Sequence, residues 1–287
     1  MVDSKPLIPV ALTIAGSDSG GGAGIQADLR TFAFHCVHGT SALTCVTAQN
    51  TLGVNRVDAL SPEAVGEQIS AVVEDIGVQA TKTGMLLNAE IIEQVAREVE
   101  RWDLQPLVVD PVMVSRTGAQ LIDDRAIMTL RSRLFPRATV ITPNRYEAEI
   151  LSGLKIETVD QMCSAAQQIY DQLGIKAVLV KGGGLQPSCR GTDVWFDGHE
   201  VQTLHSEMID TPHTHGTGCT LSAAIAANLA RGEDLLSAIQ QAKAYVTQAL
   251  QFSLAIGRGQ GPVGHFFPLL SPTSPCLSRS VSQTESI

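Results

Sequence analysis

Short apolar runs alternate along this chain with segments of helical periodicity, and this alternation limits the possible folds more than any other feature. Six runs are rich in Val, Ile and Thr and are apolar on both faces, as strands buried in a parallel sheet are. They are Val10–Ala15, Leu43–Ala48, Ala80–Thr83, Leu107–Val112, Thr139–Thr142 and Ala177–Lys181. The pattern predicts an α/β fold in which helices cover both faces of a mostly parallel sheet.

Helical patterns fill the intervals between these runs. Ser61 is a predicted cap, because a proline and an acid follow it at the start of an apolar stripe. Thr158 and Gln161 form a capping box for a helix that ends at Gly174. The other predicted helices are Ile25–Phe34, Ala89–Trp102, Gly218–Ala230 and Leu235–Leu254.

One segment departs from the alternation. Asp197-Gly198-His199 separates two short runs, Asp193–Phe196 and Glu200–Leu204. An Asp-Gly pair between such runs is a hairpin signal. We therefore expect antiparallel strands at one edge of the sheet.

The domain organisation follows from composition. The 287 residues are 44% hydrophobic and 17% charged, so the chain can bury a core. Residues 1–270 show no repeat and no linker, which predicts a single domain. Residues 271–287 are rich in Ser, Thr and Pro and lack periodicity, which predicts a disordered tail.

Charge and cysteine content exclude several classes of function. The net charge of −9 argues against nucleic-acid partners and against an anionic membrane surface, since both require clustered Lys and Arg. No apolar stretch reaches the roughly 18–20 residues that span a bilayer. The six cysteines show no CxxC and no metal-ligand spacing, which favours reduced thiols in a cytoplasmic protein.

Glycine is concentrated in Ala15–Gly24, between the first predicted strand and the first helix. Three interpretations stay open: a dinucleotide-binding loop, a loop that covers a small substrate, and a turn without a ligand. The dinucleotide motif is incomplete, because Ile25 stands where its last Gly or Ala should be. It also lacks the acidic residue that should end a second strand about 20 residues further on.

A second glycine motif, Thr214–Thr220 (THGTGCT), opens a strongly apolar helix. Free amides at a helix N-terminus, together with the helix dipole, predict an anion site. Cys219 falls in the first helical turn, where we expect a lowered thiol pKa and partial ionisation at neutral pH. Such a thiolate would accept a proton from a substrate hydroxyl while the amides hold a phosphoryl group. The alternative is a small buried cysteine without a chemical role.

Polar residues stand at the ends of three further strands. Lys181 is either a phosphate partner or a solvated lysine at the strand end. Asn144 and Glu147 follow the Thr139–Thr142 run, and Asp110 lies at the end of Leu107–Val109. The three could hold a hydrated Mg²⁺, which prefers oxygen ligands. The alternative is that Asn144 and Glu147 only cap a helix.

Seven segments together carry a likeness to one family. They are TIAGSDSGGGAGIQADL (Thr13–Leu29), TAQNT (Thr47–Thr51), KTGML (Lys82–Leu86), VVDPVM (Val108–Met113), ITPNRYEAE (Ile141–Glu149), VLVKGG (Val178–Gly183) and THGTGCTLSAAIA (Thr214–Ala226). In this order they resemble the bacterial hydroxymethylpyrimidine/phosphomethylpyrimidine kinases of thiamine biosynthesis, within the ribokinase superfamily. The resemblance covers nearly all of the chain, from Pro9 to Pro268.

The resemblance implies a three-layer αβα sandwich and two successive reactions. ATP, with Mg²⁺, would phosphorylate the CH₂OH group of 4-amino-5-hydroxymethyl-2-methylpyrimidine, and the monophosphate would then become the diphosphate. Members of this family often form homodimers, so we expect a homodimer here. No thiamine-phosphate synthase module is expected, because one kinase domain uses the whole length.

The resemblance also implies roles for individual residues. Asp28 and Gln49 would hydrogen-bond the aminopyrimidine, an amide being both donor and acceptor. The implied pocket lining is Gly16, Met85 and Val112, and the implied nucleotide residues are Asn144, Lys181 and Gly183. The implied magnesium-linked residues are Glu147 and Asp110. The implied anion hole is Gly216, Thr217, Gly218 and Cys219.

Cys219 stands where most members of the superfamily carry an aspartate base. An acceptor that is already a phosphate needs no base, so Cys219→Ala should impair the first phosphorylation more than the second. Three positions depart from the usual family pattern: Ser19 for Pro, Gly184 for His, and Thr47 at a place that is often apolar.

Two other functions stay open. A pyridoxal or pyridoxine kinase would share the Gly-Thr-Gly motif and would also act on a ring-bound CH₂OH. Gln49 and Asp28 favour the pyrimidine. A non-catalytic pyrimidine-binding relative should have lost Cys219, Lys181 or Glu147, and all three are present.

Overall fold

The protein is described by a computed structural model, which covers residues 8–114, 120–183, 185 and 191–270. Within these residues a sheet of nine strands forms the centre of the molecule. The strands are β1 (Val10–Asp18), β2 (His38–Asn50), β3 (Gly53–Ala59), β4 (Ala80–Thr83), β5 (Leu107–Val109), β6 (Val140–Ile141), β7 (Val178–Val180), β8 (Thr192–Phe196) and β9 (Gln202–His205).

The strand order is β3-β2-β1-β4-β5-β6-β7-β8-β9. The six strands from β2 to β7 in this order pair in parallel, whereas β3 pairs antiparallel with β2, and β8 and β9 extend the other edge in antiparallel fashion. The mostly parallel sheet and the β8–β9 hairpin confirm the predicted architecture. All carboxyl ends of the parallel strands therefore meet at one edge of the sheet, which is where open α/β sheets bind ligands.

Eight α-helices flank the sheet in the described part of the chain. They are α1 (Gly24–Phe34), α2 (Pro62–Asp75), α3 (Ala89–Trp102), α4 (Asp124–Thr129), α5 (Arg145–Ser152), α6 (Val159–Leu173), α7 (Thr217–Ala230) and α8 (Leu235–Gln251). The predicted caps are confirmed: the Ser61 side chain accepts from Ala64 N, and Thr158 and Gln161 form the capping box of α6.

Two apolar cores lie on opposite faces of the sheet. One packs α2 through α6 against side chains such as Leu12 and Val109, and the other packs α1, α7 and α8 against Ala11 and Val108. Neighbouring residues of one strand enter different cores because successive strand side chains point to opposite faces. This explains why the predicted strands are apolar throughout.

Three parts of the fold differ from the sequence prediction. Strand β3 was missed because all seven of its residues are exposed, and the two-residue turn at Thr51-Leu52 carries no Asn-Gly or Asp-Gly signal. Strand β1 continues three residues past Ala15 through a bulge, so the first glycine loop begins only at Ser19. Helix α4 was missed because its 6 residues are too few to show a clear period. The π and 3₁₀ turns after it (Leu130–Leu134, Phe135–Arg137) were missed because their geometry breaks the 3.6-residue period.

The described helices include none that is both long enough and apolar enough to cross a membrane. Cys36, Cys45, Cys163 and Cys219 are free thiols. The predicted tail, 271–287, and Gly184 lie outside the described residues.

Candidate active site

Polar groups from several strand ends converge at the carboxyl edge of the sheet. Lys181, just after β7, places its Nζ 2.9 Å from the Asp110 Oδ1 that follows β5. A methyl group built on Gly218, in the first turn of α7, would lie 3.4 Å from the Lys181 Nζ and 3.8 Å from the Asp110 Oδ2. The structure thus brings together the predicted lysine, the predicted carboxylate and the predicted anion loop.

The start of α7 is shaped by a glycine and, among the described residues, has no side-chain cap. Gly216 is its N-cap residue, and no side chain caps the described helix at this end. The backbone of Gly216 has a φ of 83°, and a Cβ there would overlap the carbonyl oxygen of Gly22. Only glycine combines this dihedral with this approach. Thr217 N donates to Thr214 O at 3.3 Å. Among the described contacts the Gly218 and Cys219 amides of the first turn are left to bind a ligand beside the Lys181 ammonium.

Lys181 remains positively charged in this setting. Burial acts to lower the pKa of its ammonium, but the carboxylates of Asp110 and Glu147 outweigh that effect and raise it. Burial likewise acts to raise the pKa of Asp110, whereas Lys181 and Lys82 lower it below its usual value. The two groups form an ion pair that is largely shielded from water, with side-chain exposures of 14% and 4%.

Asn144 and Glu147 form the capping box of α5. Helix capping was the alternative to a magnesium site for these two residues. The Asn144 Oδ1 accepts from Glu147 N at 3.1 Å, and the Glu147 Oε2 accepts from Asn144 N at 2.8 Å. The other carboxylate oxygen of Glu147 accepts from Met113 N at 3.3 Å. Burial, together with the charge of Asp110, raises the Glu147 pKa to about 7, even though Lys181 opposes the rise.

Lys82 is a buried partner of the predicted site residue Asp28 that the sequence interpretation missed. Its Nζ lies 2.8 Å from the Asp28 Oδ2, and both side chains are 0% exposed. The same Asp28 oxygen accepts from the Thr13 hydroxyl at 2.6 Å, whereas the Asp28 Oδ1 has no hydrogen-bond partner among the residues that the structure describes. A lysine inside the apolar strand β4 was the available signal, since a buried charge requires a partner.

Cys219 does not have the lowered pKa that its helical position suggested. The residue is half-buried, and burial raises the pKa of its thiol to about 11, although the Lys82 charge lowers it. The charges of Asp28 and Asp110 add to the rise. The prediction of a partial thiolate at neutral pH is therefore wrong for the ligand-free protein, because desolvation outweighs the favourable helix terminus.

The first glycine loop, residues 19–23, is organised by the chain's own carboxylate. Asp18 Oδ1 accepts from Gly20 N at 2.8 Å, and Asp18 Oδ2 accepts from Gly22 N at 3.0 Å and Ala23 N at 2.8 Å. These amides are not free to hold a pyrophosphate, so the dinucleotide interpretation is wrong. The His215 Nε2 lies 2.9 Å from the Asp18 Oδ2 and ties this loop to the loop that precedes α7.

Gln49 lies at the junction of these two loops. Its Nε2 is 3.4 Å from the His215 Nε2, and its Oε1 lies 3.3 Å from the Thr47 hydroxyl, which donates to Ser17 O at 2.9 Å. The Ser19 hydroxyl donates to Gln49 O at 2.8 Å and accepts from Gln49 N at 2.7 Å. The departure at Ser19 therefore holds the backbone of Gln49, whereas Thr47 holds the backbone of Ser17 and only borders the Gln49 side chain.

The remaining predicted residues fall in two places. A methyl group on Gly16 would lie 2.9 Å from the Met85 Cε and 2.7 Å from the Cys45 Sγ, so Cys45 joins the predicted pocket. Val112, with Asp110, lines a small cavity of about 10 Å³, which has room for roughly one water molecule. In the described chain, Asp28 and Gln49 share no hydrogen-bond partner, so no described contact of one of them links it to the other.

A larger groove of about 610 Å³ lies between the end of β9 and α8. Lys243 on this wall donates to the Asp193 Oδ2 at 2.6 Å, and the Asp193 Oδ1 accepts from Gly182 N at 2.9 Å. Gly182 is adjacent in sequence to Lys181 and to the exposed Gly183. The wall of the groove is thus linked to the neighbour of Lys181 through the Lys243 and Asp193 side chains.

Comparison with known proteins agrees with this geometry. The sequence profile of the phosphomethylpyrimidine kinase family matches residues 18–264. A hydroxymethylpyrimidine/phosphomethylpyrimidine kinase from Synechococcus elongatus is 62% identical over 262 residues, 91% of this chain and 99% of that protein. The fold is similar to that of Bacillus subtilis pyridoxal kinase in an ADP complex, with a TM-score of 0.85 and 42% identity over 92% of this chain and 100% of that chain. It is also similar to that of Clostridium difficile phosphomethylpyrimidine kinase, with a TM-score of 0.76 and 42% identity over 84% of this chain and 99% of that chain. The chain therefore belongs to the phosphomethylpyrimidine kinase family.

Proposed function

We propose that this protein uses ATP to phosphorylate 4-amino-5-hydroxymethyl-2-methylpyrimidine and then its monophosphate, in thiamine biosynthesis. The observation that carries the proposal is the uncapped start of α7, with its amides next to the Lys181–Asp110 ion pair. This arrangement suits a transferring phosphoryl group, whose charge must be neutralised from several sides.

The residues of the chain supply position and charge. The amides of Gly216 to Cys219 meet the oxygens of the transferring group, and Lys181 neutralises the triphosphate. Phosphoryl transfer has a loose transition state, so the hydroxyl proton leaves late and needs little basic help. This fits a Cys219 thiol with a pKa of about 11. Cys219 can accept this proton only as a thiolate, which is scarce near neutral pH, so in the first reaction the hydroxyl proton otherwise passes to an oxygen of the transferred phosphoryl group. In the second reaction the acceptor phosphate carries no such proton.

The aminopyrimidine needs both donors and acceptors. The fully buried Asp28 Oδ1, which lacks a partner in the described part of the chain, is an acceptor suited to the 4-amino group, because an unpaired buried acceptor is costly unless a ligand satisfies it. Gln49 offers an amide that both donates and accepts. Gly16, Met85 and Val112 would line the ring site.

Mg²⁺ would bind mainly through the nucleotide phosphates and its own water molecules, with Asp110 and Glu147 as the protein carboxylates. The described residues contain no cluster of three or more His, Cys, Asp or Glu side chains suited to a metal. The two carboxylates fit a hydrated ion because the negative charge of Asp110 helps to raise the Glu147 pKa, and a cation would relieve this repulsion. The ion supplies further charge neutralisation on the triphosphate.

The nucleoside of ATP would occupy the 610 Å³ groove between β9 and α8. Ligand sites typically have about 300–1,000 Å³ of space, so the groove is large enough. Its wall is joined to the phosphate region through Lys243, Asp193 and Gly182. Asn144 and Gly183 would lie between the groove and the phosphates.

A homodimer is the proposed assembly. The β2–β3 ribbon exposes four apolar side chains: Val46, Leu52, Val54 and Val57 are 43%, 60%, 52% and 41% exposed. Exposed apolar groups on an edge strand invite a partner. Sedimentation of the wild type and Val54→Asp would test this assembly: a monomeric wild type contradicts it, whereas a dimer that Val54→Asp dissociates supports it.

Pyridoxal phosphorylation is the second candidate, favoured by the similarity to pyridoxal kinases of Bacillus subtilis and Staphylococcus aureus. ATP consumption with Mg²⁺ should be compared for hydroxymethylpyrimidine, its monophosphate and pyridoxal. We expect strong turnover of both pyrimidines and weak turnover of pyridoxal. Strong pyridoxal turnover without use of the monophosphate would withdraw the roles given to Asp28 and Gln49.

A further inference from the structure

After α8 the chain returns toward the active site as the segment 257–265 (GRGQGPVGH), which we term the return segment. It pairs with the loop before α7 over His215, whose N donates to Gly261 O at 3.2 Å and whose O accepts from Val263 N at 3.2 Å. The return segment thus fixes the backbone of His215, the residue before Gly216.

The return segment ends at His265, a histidine with no role in the function described so far. Its side chain is 2% exposed, and its Nε2 lies 2.9 Å from the Thr220 Oγ1. The Thr220 hydroxyl donates to Gly216 O at 2.8 Å. Because a hydroxyl has one proton and that proton is committed, the His265 Nε2 must be the donor to Thr220.

His265 is itself fixed on its backbone side, since the Tyr245 hydroxyl donates to His265 O at 2.8 Å. Burial lowers the pKa of the His265 imidazole to about 4, and the Arg30 charge adds to this effect. The ring is therefore neutral at physiological pH and carries one donor nitrogen. Arg30 and Tyr245 are the ionisable groups that bear on it in the described chain.

We propose that His265 is a positioning residue for phosphoryl transfer, which acts through Thr220 on the carbonyl of Gly216. That carbonyl also accepts from Thr220 N at 2.8 Å, and the Thr217 amide on the other side of its peptide plane donates to Thr214 O at 3.3 Å. Fixing this peptide sets the direction in which the next amides of the anion hole, Gly218 and Cys219, follow. The inference rests on the proposed kinase function. It adds a residue that acts through Thr220 and lies far from Cys219 in the sequence.

The effect is expected on kcat and on nucleotide affinity and not on recognition of the pyrimidine. A neutral hydrogen bond contributes about 1 kcal/mol net, and this corresponds to roughly a fivefold change. His265→Ala and Thr220→Val should each lower kcat about three- to tenfold, with the KM for hydroxymethylpyrimidine within twofold of wild type. Thr220→Ser keeps the hydroxyl and should restore most of kcat.

His35→Gln is the matched control. His35 is also a buried histidine that bonds a threonine, with Nδ1 2.7 Å from Thr31 O, and its ring packs 4.6 Å from the Tyr245 ring. It has no bond to the α7 loop among the described contacts. His35→Gln should lower the Tm and leave kcat unchanged. If His265→Ala leaves kcat unchanged, or lowers it no more than His35→Gln does, the positioning role is wrong.

A second measurement separates this inference from the proposed function. A non-hydrolysable ATP analogue binds at the anion hole without phosphoryl transfer. Its affinity can be measured by calorimetry whichever acceptor the protein phosphorylates. His265→Ala should weaken binding about three- to tenfold, even if the acceptor is not a pyrimidine. Unchanged affinity and unchanged kcat in a folded variant would overturn the inference, whereas failure of wild type to use any pyrimidine overturns only the proposed function.

Discussion

The buried pair of Lys82 and Asp28 leads to the sharpest prediction about stability. Both side chains are 0% exposed, and Lys82→Met would leave the Asp28 carboxylate with only the Thr13 hydroxyl as a partner. Removing one member of a buried pair costs about 3–5 kcal/mol, because an uncompensated charge remains. In a chain of this size, this is a loss of about 6–20 °C in Tm.

A double-mutant cycle in urea measures this effect. Lys82→Met, Asp28→Asn and the double variant should be unfolded at pH 8 and at pH 5. The double variant removes both charges, so it should recover at least half of the loss. Burial and the missing lysine raise the Asp28 pKa further in Lys82→Met. Since a raised carboxyl pKa destabilises the fold increasingly as pH rises, the loss should be larger at pH 8 than at pH 5.

Two results would refute this reasoning. A Lys82→Met variant that loses less than about 1 kcal/mol would mean that the charges are not buried together. Additive losses in the double variant would mean that the two residues do not interact.

Three further predictions concern single groups at or near the site. Alkylation of Cys219 by iodoacetamide should rise with pH without an inflection below about pH 9, since its thiol pKa is about 11; an inflection near pH 7 would contradict the assigned burial. Ser19→Ala removes the two hydrogen bonds that hold the Gln49 backbone, so it should raise the KM for hydroxymethylpyrimidine about two- to fivefold. An unchanged KM would exclude a role of Ser19 in positioning Gln49. The His265 pKa falls from 6.5 to about 4 on folding, so the free energy of unfolding should fall as pH drops from 6.5 to 4. In His265→Gln this fall should be smaller by about 3 kcal/mol. An equal pH dependence of stability in the variant and the wild type would be incompatible with a buried neutral ring.

The parallel part of the fold was predictable because its strands are apolar on both faces. Runs such as Ala80–Thr83 and helices such as Ala89–Trp102 were located to the residue. Strand β3 was not, because it lies at the edge and buries no side chain, so it leaves no pattern in the sequence. Periodicity reports burial, and an exposed ribbon is defined only by its pairing with β2.

The site was predictable as a set of strand ends and less so as a set of charges. Lys181, Asp110 and Gly218 meet because parallel strands share one carboxyl edge. The state of Cys219 was not predictable, since burial of its sulfur depends on how α1 and α7 pack. The partners of Lys82 and His265 lie 54 and 45 residues away in sequence, and only tertiary structure brings them together.

The central claim is that one site transfers two phosphoryl groups in succession to the same pyrimidine. The most direct measurement is a time course, followed by mass spectrometry, of purified protein with ATP, Mg²⁺ and hydroxymethylpyrimidine. The account predicts that the monophosphate appears first and is then converted to the diphosphate. ATP hydrolysis without any phosphorylated pyrimidine, or a lasting stop at the monophosphate, would contradict it.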